Sequence, residues 1–282
     1  MSRTTQALLA VIDQPGPWRV ESVGSADWSV DRSGLINLKD PKARAAQLRD
    51  GLEPIQIYFH ALRHPEHGLF VVDTGVERAL RDEPERAALR GIAAAALGAK
   101  RIRVNQPLGD FLAAAQEPLR GVLLTHLHAD HILGMPDVPA ATPIYIGEGE
   151  ASARHAMNLA AQPLTNRLLA ERGPLRQLSF APDASGRFRG VLDLFGDETL
   201  WALWVPGHTV GSLAYVVRTT EGPVLITGDT CHTAWGWQNE VEPGSFTLDH
   251  ERNRDNLLRL RRLVREHPTT SVRLGHQSLP TP

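Results

Sequence analysis

Residues 121–131 read GVLLTHLHADH, an apolar run that passes directly into a histidine-rich hexapeptide. A pattern such as His126–His131 arises by chance on the order of once in a thousand chains of this length, so it demands a physical cause. In an extended segment alternate side chains share a face, which lets His126 and His128 reach one ion. A turn at Asp130 and His131 would aim these two at a second position. Imidazole and carboxylate are ligands that zinc accepts, so the hexapeptide predicts metal coordination without a thiolate.

Further ligands are expected elsewhere in the chain, because the four donors of one hexapeptide are too few to complete the coordination of two metal ions. Histidine or aspartate indeed follows several other apolar runs, with a glycine beside or near each one that lets the backbone turn sharply out of a strand. These residues are His208 after 200–205, Asp229 after 224–227, His276 after 271–274, and Asp73 at the end of 69–73. The pattern predicts several strand ends that converge on one rim.

Apolar runs bounded by turn residues predict eight short strands. They are Ile55–Leu62, Leu69–Asp73, Gly121–Thr125, Thr142–Ile146, Leu200–Val205, Leu213–Arg218, Val224–Thr227 and Ser271–Leu274. Helices are predicted at Val76–Leu97, at Glu150–Arg172, and from an N-cap at Asp249 to His267, where Pro268 stops the helix. On that last helix the spacing turns Leu257, Leu260 and Val264 to the core and Arg254, Arg261 and Arg265 outward. Since no repeat and no linker-like stretch interrupts the chain, we predict one domain of mixed α and β over residues 1–282.

Composition limits the partners and the location. The chain is 42% apolar and 22% charged with a formal net charge of −2, so it can bury a large core but lacks the basic surface that nucleic acid needs. Cys231 is the single cysteine, which excludes an internal disulfide and fits a reducing compartment. The apolar patch 7–12 is too short for a signal peptide or a membrane span. We therefore expect a cytoplasmic protein with a small-molecule substrate, no nucleic acid or membrane partner, and a homodimer as one option.

The sequence resembles the metallo-β-lactamase superfamily from Asp73 to His276, with Asp73-Thr74-Gly75, the hexapeptide, His208, Asp229 and His276 in the order of that family's five motifs. The resemblance implies an α/β fold, an αββα sandwich of two mixed sheets flanked by helices, and two divalent metal ions, most suitably zinc. It implies that His126, His128 and His208 bind the first ion, that Asp130, His131 and His276 bind the second, and that Asp229 bridges both. Asp73 would orient a ligand or its loop, with a purely structural turn as the alternative.

Residues 54–59 and 71–75 resemble the opening of the lactonase branch of that family, which includes acyl-homoserine lactonases. Those enzymes place a tyrosine three residues after the bridging aspartate, and here that position holds His232. We expect His232 and Asp130 to be catalytic, His232 by assisting a developing oxyanion and Asp130 by holding the proton; a loop residue at the pocket edge is the alternative for His232. The aromatic side chains nearby could wall a pocket or simply pack: Trp235, Trp237 and Phe246.

The predicted function is a dinuclear-metal-dependent hydrolase that uses a metal-bridging hydroxide to open a lactone or a related ester carbonyl. The alternatives are a β-lactamase, a thioesterase of the glyoxalase II type, or a non-hydrolytic metal or redox protein on the same fold. The other histidines are predicted to be solvated turn residues (His60, His64 and His67) or surface residues (His155, His250 and His267). Cys231 is predicted to be a small buried filler rather than a nucleophile or a ligand.

Overall fold

A computed structural model describes residues 5–153 and 156–279, and two sheets account for their strands. The strands are β1 Arg19–Asp31, β2 Leu52–His64, β3 Gly68–Val72, β4 Arg103–Val104, β5 Leu119–Leu123, β6 Ile144–Ile146, β7 Leu175–Gln177, β8 Gly190–Asp193, β9 Leu200–Trp204, β10 Leu213–Thr219, β11 Gly222–Ile226 and β12 Ser271–Arg273. The α-helices are α1 Thr5–Val11, α2 Arg32–Leu35, α3 Pro41–Ala45, α4 Ala79–Asp82, α5 Gly91–Ala96, α6 Leu108–Ala115, α7 Ala129–Ile132, α8 Ala156–Leu168, α9 Ala234–Asn239 and α10 His250–Glu266.

The chain divides into two compact units. The first comprises Met1–Val20, Val30–Glu53 and Leu178–Pro282, and the second comprises Glu21–Ser29 and Pro54–Gln177. The prediction of one domain over residues 1–282 stays a prediction.

The seven-stranded sheet has the order β4-β1-β2-β3-β5-β6-β7 and is mixed. Strands β3, β5, β6 and β7 are parallel neighbours, whereas β2 pairs with β3 and β4 with β1 in antiparallel fashion. The carboxyl ends of adjacent parallel strands lie at one edge of a sheet. Asp73, which follows β3, and the segment from Thr125, which follows β5, therefore emerge side by side in the second unit.

The five-stranded sheet has the order β12-β11-β10-β9-β8 and belongs to the first unit. Strand β10 is antiparallel to both β9 and β11, so β9 and β11 run the same way, and β12 is parallel to β11. The carboxyl ends of β9, β11 and β12 consequently lie at the same edge. His208, Asp229 and His276 each follow one of these ends.

The core of the first unit forms between one face of this sheet and the buried face of α10. Leu257, Leu260 and Leu263 have no exposed surface and pack with Trp201 and Leu225 of the sheet. The Asp249 side chain caps α10 by accepting a hydrogen bond from the Arg252 N–H at 3.0 Å, which satisfies a backbone donor of the first turn. This packing anchors the helix whose first turns approach the strand ends described above.

The predicted fold class, an α/β fold with two mixed sheets flanked by helices, is confirmed. All eight predicted strands are present with small shifts of their ends, and α10 matches its prediction. The single helix predicted at Val76–Leu97 is wrong, because the structure has the short helices α4 and α5 there. No helix among residues 5–153 and 156–279 combines the length and the apolar character that crossing a bilayer requires.

Four side chains differ from their predicted surroundings. His60 and His64 are buried in β2 rather than solvated, and the His64 Nδ1 accepts the Glu66 N–H at 3.0 Å. Arg261 does not point freely outward, since its guanidinium lies 5.6 Å from the centre of the Trp237 ring. His267 is half-buried against Asp13, whereas His250 is exposed as predicted; His155 lies outside the described residues.

Candidate metal centre

The hexapeptide His126–His131 spans the end of β5 and the short helix α7. The His126 ring centre lies 4.5 Å from that of His128 and 4.1 Å from that of His131. His126 and His131 are almost fully buried, while His128 and Asp130 keep partial exposure. Ligand atoms of His126 and His128 lie within 4.8 Å of each other, and so do those of Asp130 and His131. Four donors suited to zinc therefore crowd one loop of the second unit.

Asp73 and Thr125 orient these imidazoles. Asp73 is buried and accepts the Thr125 N–H at 2.8 Å on one carboxylate oxygen, while its other oxygen lies 2.7 Å from the His131 Nδ1. The Thr125 hydroxyl lies 3.1 Å from the His126 Nδ1 and 2.9 Å from the Asp73 Oδ2. A carboxylate that engages one ring nitrogen of a histidine leaves the other nitrogen to face an ion, as in known metal sites. These contacts place Asp73 against the His131 ring, and Thr125 is a further partner that was not predicted from the sequence.

Further contacts fix the hexapeptide loop. Glu150 is buried and accepts the Leu127 N–H at 2.9 Å, between the first two histidines. The Thr74 hydroxyl donates to the His131 carbonyl at 2.9 Å and accepts the Gly134 N–H at 3.1 Å. Asp73 itself adopts a left-handed conformation with φ +57°, which aspartate tolerates better than most residues. These contacts hold the donors in place through the backbone.

A second group of donors lies within the first unit, around the buried carboxylate of Asp229. The Asp229 Oδ2 lies 3.4 Å from the Nε2 of His208 and 3.4 Å from the Nε2 of His276. His208 has no exposed surface, and His276 is 3% exposed. Backbone hydrogen bonds join the segments that follow β12 and β11, since the Gly275 N–H donates to the Cys231 carbonyl and the His276 N–H donates to the His232 carbonyl.

The donor set fits a metal ion. Two donors at about 2.0–2.1 Å from a tetrahedral zinc ion lie about 3.3–3.4 Å apart, which is longer than an ordinary hydrogen bond. The separation between Asp229 and each of its two histidines matches this value. Burying a carboxylate among imidazoles is costly unless a charge partner compensates it, and a divalent cation would do so. The residues present therefore suit divalent ions with nitrogen and oxygen ligands.

His232 lies within this second group. It is 1% exposed, and its Nε2 lies 2.9 Å from the Asp229 Oδ2. Its ring centre is 5.2 Å from that of His208 and 5.1 Å from that of His276. The imidazole is thus held beside the carboxylate and both neighbouring histidines.

Two asparagines of α10 approach the same strand ends, and neither was predicted from the sequence. Asn253 has no exposed surface and Asn256 is 5% exposed. Their side-chain amides donate to the carbonyls of Thr230 and Pro206, respectively. Their burial could have been predicted from the sequence, because helical spacing places both asparagines on the same face as Leu257 and Leu260.

Cys231 and two aromatic residues lie close to Asp229 in the sequence. Cys231 belongs to the core, as predicted for a filler, and burial raises the pKa of its thiol to about 12. Trp237 is buried in the same core. Phe246 is 38% exposed and packs over Gly34, where a Cβ would lie 2.2 Å from the Phe246 ring.

Comparison with known proteins gives the following matches. A family model described as the metallo-beta-lactamase superfamily matches residues 53–276. A γ-lactamase of Fusarium pseudograminearum (strain CS3096) is 24% identical over 245 residues, which are 80% of this chain and 57% of that protein. The N-acyl homoserine lactonase AttM of Rhizobium johnstonii is 28% identical over 166 residues, or 56% of this chain and 58% of that protein. The chain thus spans little more than half the length of these curated relatives.

Solved structures share the fold. The B. thuringiensis protein AiiA, solved with N-decanoyl-L-homoserine bound at its active site, has a TM-score of 0.67 at 20% identity over 91% of this chain and 92% of that one. AidC, described as a dizinc quorum-quenching lactonase, has a TM-score of 0.59 at 16% identity over 95% of this chain and 89% of that one. At these identities the likeness establishes the fold. Together with the family match, it confirms the resemblance inferred from the five motifs.

Proposed function

Since the chain belongs to the metallo-beta-lactamase superfamily, we propose that it is a hydrolase that binds two divalent metal ions and opens a lactone or a related ester. The observation that carries the proposal is the position of the Asp229 Oδ2, 3.4 Å from the Nε2 atoms of both His208 and His276. One carboxylate oxygen is thereby spaced to share an ion with either histidine. This is the arrangement expected of a bridging ligand.

The ligand sets follow from the predicted motifs. We propose that five imidazoles and two carboxylates hold the two ions, with zinc as the best match to these donors. As the motifs imply, the first ion would take His126, His128 and His208, the second would take Asp130, His131 and His276, and Asp229 would bind both. Asp73 and Thr125 support the set by fixing the ring orientation of His131 and His126.

Bound ions of this kind supply a water molecule whose pKa lies near neutrality and polarise the carbonyl oxygen of the substrate. The chain's own residues must then handle the proton and the developing charge. The carboxylate of Asp130 is 19% exposed, so it can accept the proton of the attacking water and return it to the leaving oxygen. His232 can donate a hydrogen bond from its imidazole to the developing oxyanion. Its position beside Asp229 keeps the imidazole next to a proposed metal ligand.

The choice of a cyclic ester draws support from the relatives. The names of the matching proteins include N-acyl homoserine lactonases and γ-lactamases, both of which act on an acyl group within a small ring. A hydroxyacylglutathione hydrolase also matches, at 32% identity over 131 residues, and keeps a thioester in the set to be tested. Fold and metals alone do not choose among acyl substrates.

We further propose that the protein acts on a small molecule, that it is cytoplasmic and that it forms a homodimer. The single cysteine is buried and free, which suits a reducing compartment.

A substrate panel tests the proposal. Metal-reconstituted protein would be assayed on an acyl-homoserine lactone, a simple γ-lactone, a γ-lactam, a cephalosporin, a glutathione thioester and an aryl phosphodiester. We expect turnover of the lactones well above the rest, and loss of that turnover in His128→Ala. His267→Ala, at the far end of α10, is the matched control and should retain it. Turnover of the phosphodiester alone, or full activity of His128→Ala, would refute the proposal.

A further inference from the structure

Two buried asparagines on α10, Asn253 and Asn256, stand three residues apart and so face the same side of the helix. That side is otherwise apolar, with Leu257, Leu260 and Leu263 in the core. Burying an amide among such residues costs free energy unless a specific hydrogen bond compensates it. Each asparagine must therefore be explained by the bond it makes.

Each amide holds one of the loops that carry the proposed ligands. The Asn253 Nδ2 donates to the Thr230 carbonyl at 3.1 Å, one residue after Asp229. The Asn256 Nδ2 donates to the Pro206 carbonyl at 2.7 Å, two residues before His208. The two loops are thus tied to one rigid helix by equivalent bonds.

The backbone of Asn253 also meets the His208 loop directly. A Cβ added to Gly207 would lie 2.5 Å from the backbone N and Cα of Asn253, so a glycine is required for this approach. Just before the helix, the Asp249 N–H donates to the Gly207 carbonyl at 2.9 Å and the Leu248 N–H donates to the His208 carbonyl at 3.1 Å. Asn253 therefore contacts one ligand loop through its backbone and the other through its side chain.

The two polar atoms of the Asn253 side-chain amide differ in their hydrogen bonding. Its Oδ1 is buried and has no hydrogen-bond partner among the described residues, so the side chain carries the cost of an unsatisfied acceptor. An apolar residue of similar size would fill the space without that cost. What such a residue would lack is the donor to Thr230.

We propose that Asn253 and Asn256 are positioning residues that set the spacing between Asp229 and His208 and thereby tune metal affinity. The inference rests on the proposed metal-binding function. It predicts that loss of either amide donor changes the metal site more than it changes the stability of the fold. Outer contacts of this kind typically alter metal affinity by about 10–100-fold.

The test compares Asn253→Asp and Asn256→Asp with two controls in the full chain. The aspartates keep the shape but replace the donor with an acceptor, and Asn253→Ser is the milder variant should the buried carboxylate prevent folding. Asn239→Asp removes an amide–carbonyl bond of the same kind, from the Asn239 Nδ2 to the Trp235 carbonyl at 2.9 Å, outside the ligand loops. Leu263→Ala destabilises the same helix through the core alone.

Three measurements are made on each variant: zinc affinity by competition with a chromophoric chelator, the visible spectrum of the cobalt(II)-loaded protein, and unfolding by denaturant. For either Asn253 variant and for Asn256→Asp we expect zinc affinity to fall about tenfold or more and the cobalt bands to shift. Both controls should keep the wild-type affinity and spectrum, although Leu263→Ala unfolds more readily.

Two outcomes would overturn the inference, and they differ. If wild-type protein binds two ions and the asparagine variants match its affinity and cobalt spectrum, the positioning role fails while the proposed function stands. If wild-type protein binds no zinc or cobalt at all, the proposed function fails and takes this inference with it.

Discussion

Gly275→Ala is the substitution that should damage the candidate metal centre most selectively. A Cβ at Gly275 would lie 2.2 Å from the Asp229 Oδ1 and 3.1 Å from the Gly228 carbonyl oxygen. Ordinary contact begins near 3.4 Å, so the carboxylate would have to move by about 1.2 Å. Gly275 does not adopt a positive φ, which means that alanine adds no backbone strain and the clash alone acts. The substitution therefore acts mainly on the side chain of Asp229, with a smaller displacement at the Gly228 carbonyl.

The expected magnitude follows from the narrow range of metal–ligand distances. Sites tolerate about 0.2 Å, and because Oδ1 and the proposed bridging Oδ2 belong to one planar carboxylate, moving Oδ1 by about 1.2 Å also displaces Oδ2 beyond that tolerance. We expect metal affinity to fall at least about 100-fold, which corresponds to about 2.7 kcal/mol. Competition with a chromophoric chelator measures this directly, alongside the metal content after dialysis.

Gly173→Ala is the matched control, because its nearest neighbour, the Ala140 carbonyl oxygen, would lie 3.7 Å from the new Cβ. This variant should bind metal as wild type does. If Gly275→Ala retained two ions with wild-type affinity, the geometry assigned to Asp229 would be refuted.

Four further predictions concern other parts of the molecule. Asp73→Asn should weaken metal binding about tenfold or more, since it removes the charge beside the His131 Nδ1; an unchanged zinc affinity would leave Asp73 a structural turn residue. His232→Phe should lower kcat and leave the metal content intact, and normal turnover would remove this residue from the reaction. Cys231 should resist alkylation by iodoacetamide at pH 8 until the protein unfolds, because burial raises the pKa of its thiol to about 12, and rapid native labelling followed by mass spectrometry would contradict this. Burial raises the pKa of Asp183, but hydrogen bonds from Ser185 and Thr5 outweigh this effect and lower the pKa from 3.8 to about 2. The ionised carboxylate therefore stabilises the folded state fully above about pH 4, and this stabilisation is lost as the pH falls toward 2. In denaturant titrations at several pH values, the stability difference between wild type and Asp183→Asn should shrink over that window.

Short apolar strands and the residues that follow them could be predicted from the sequence, because a buried strand needs a continuous apolar run and a sharp exit. Asp73, His208, Asp229 and His276 were placed in this way, and each indeed follows a strand end. Their mutual distances could not be predicted, since these depend on sheet order. The carboxyl ends of β9 and β11, which precede His208 and Asp229, share an edge because both strands are antiparallel to β10.

Strand β1 escaped prediction because its sequence is mostly polar and small. Residues 21–27 include Glu, Ser, Gly and Asp, and they give no regular alternation, although Trp28 and Val30 are buried. Position in the sheet, rather than local propensity, makes this segment a strand.

The long helix predicted over Val76–Leu97 fails for a local reason. Pro84 disfavours helical conformation in the residue before it, and α4 ends at Asp82. Gly91, the first residue of α5, takes a left-handed conformation with φ +61°, which a continuous helix through this position would not contain. The abundance of Ala, Leu, Glu and Arg in this stretch masked both breaks.

The polar partners around the ligands were the hardest to foresee. Thr125, Glu150 and Asn253 look like ordinary residues in the sequence, and their roles depend on contacts with distant loops. Helical phase alone could have flagged Asn253, since a polar residue on the buried face of α10 needs an explanation.

Anomalous X-ray scattering at the zinc edge, recorded from crystals of the metal-loaded protein, would locate the bound ions and the side chains around them. We expect two peaks a few ångströms apart, both next to Asp229, one beside His126, His128 and His208 and the other beside Asp130, His131 and His276. A single peak, a peak held by other side chains, or none at all under saturating zinc would contradict this expectation.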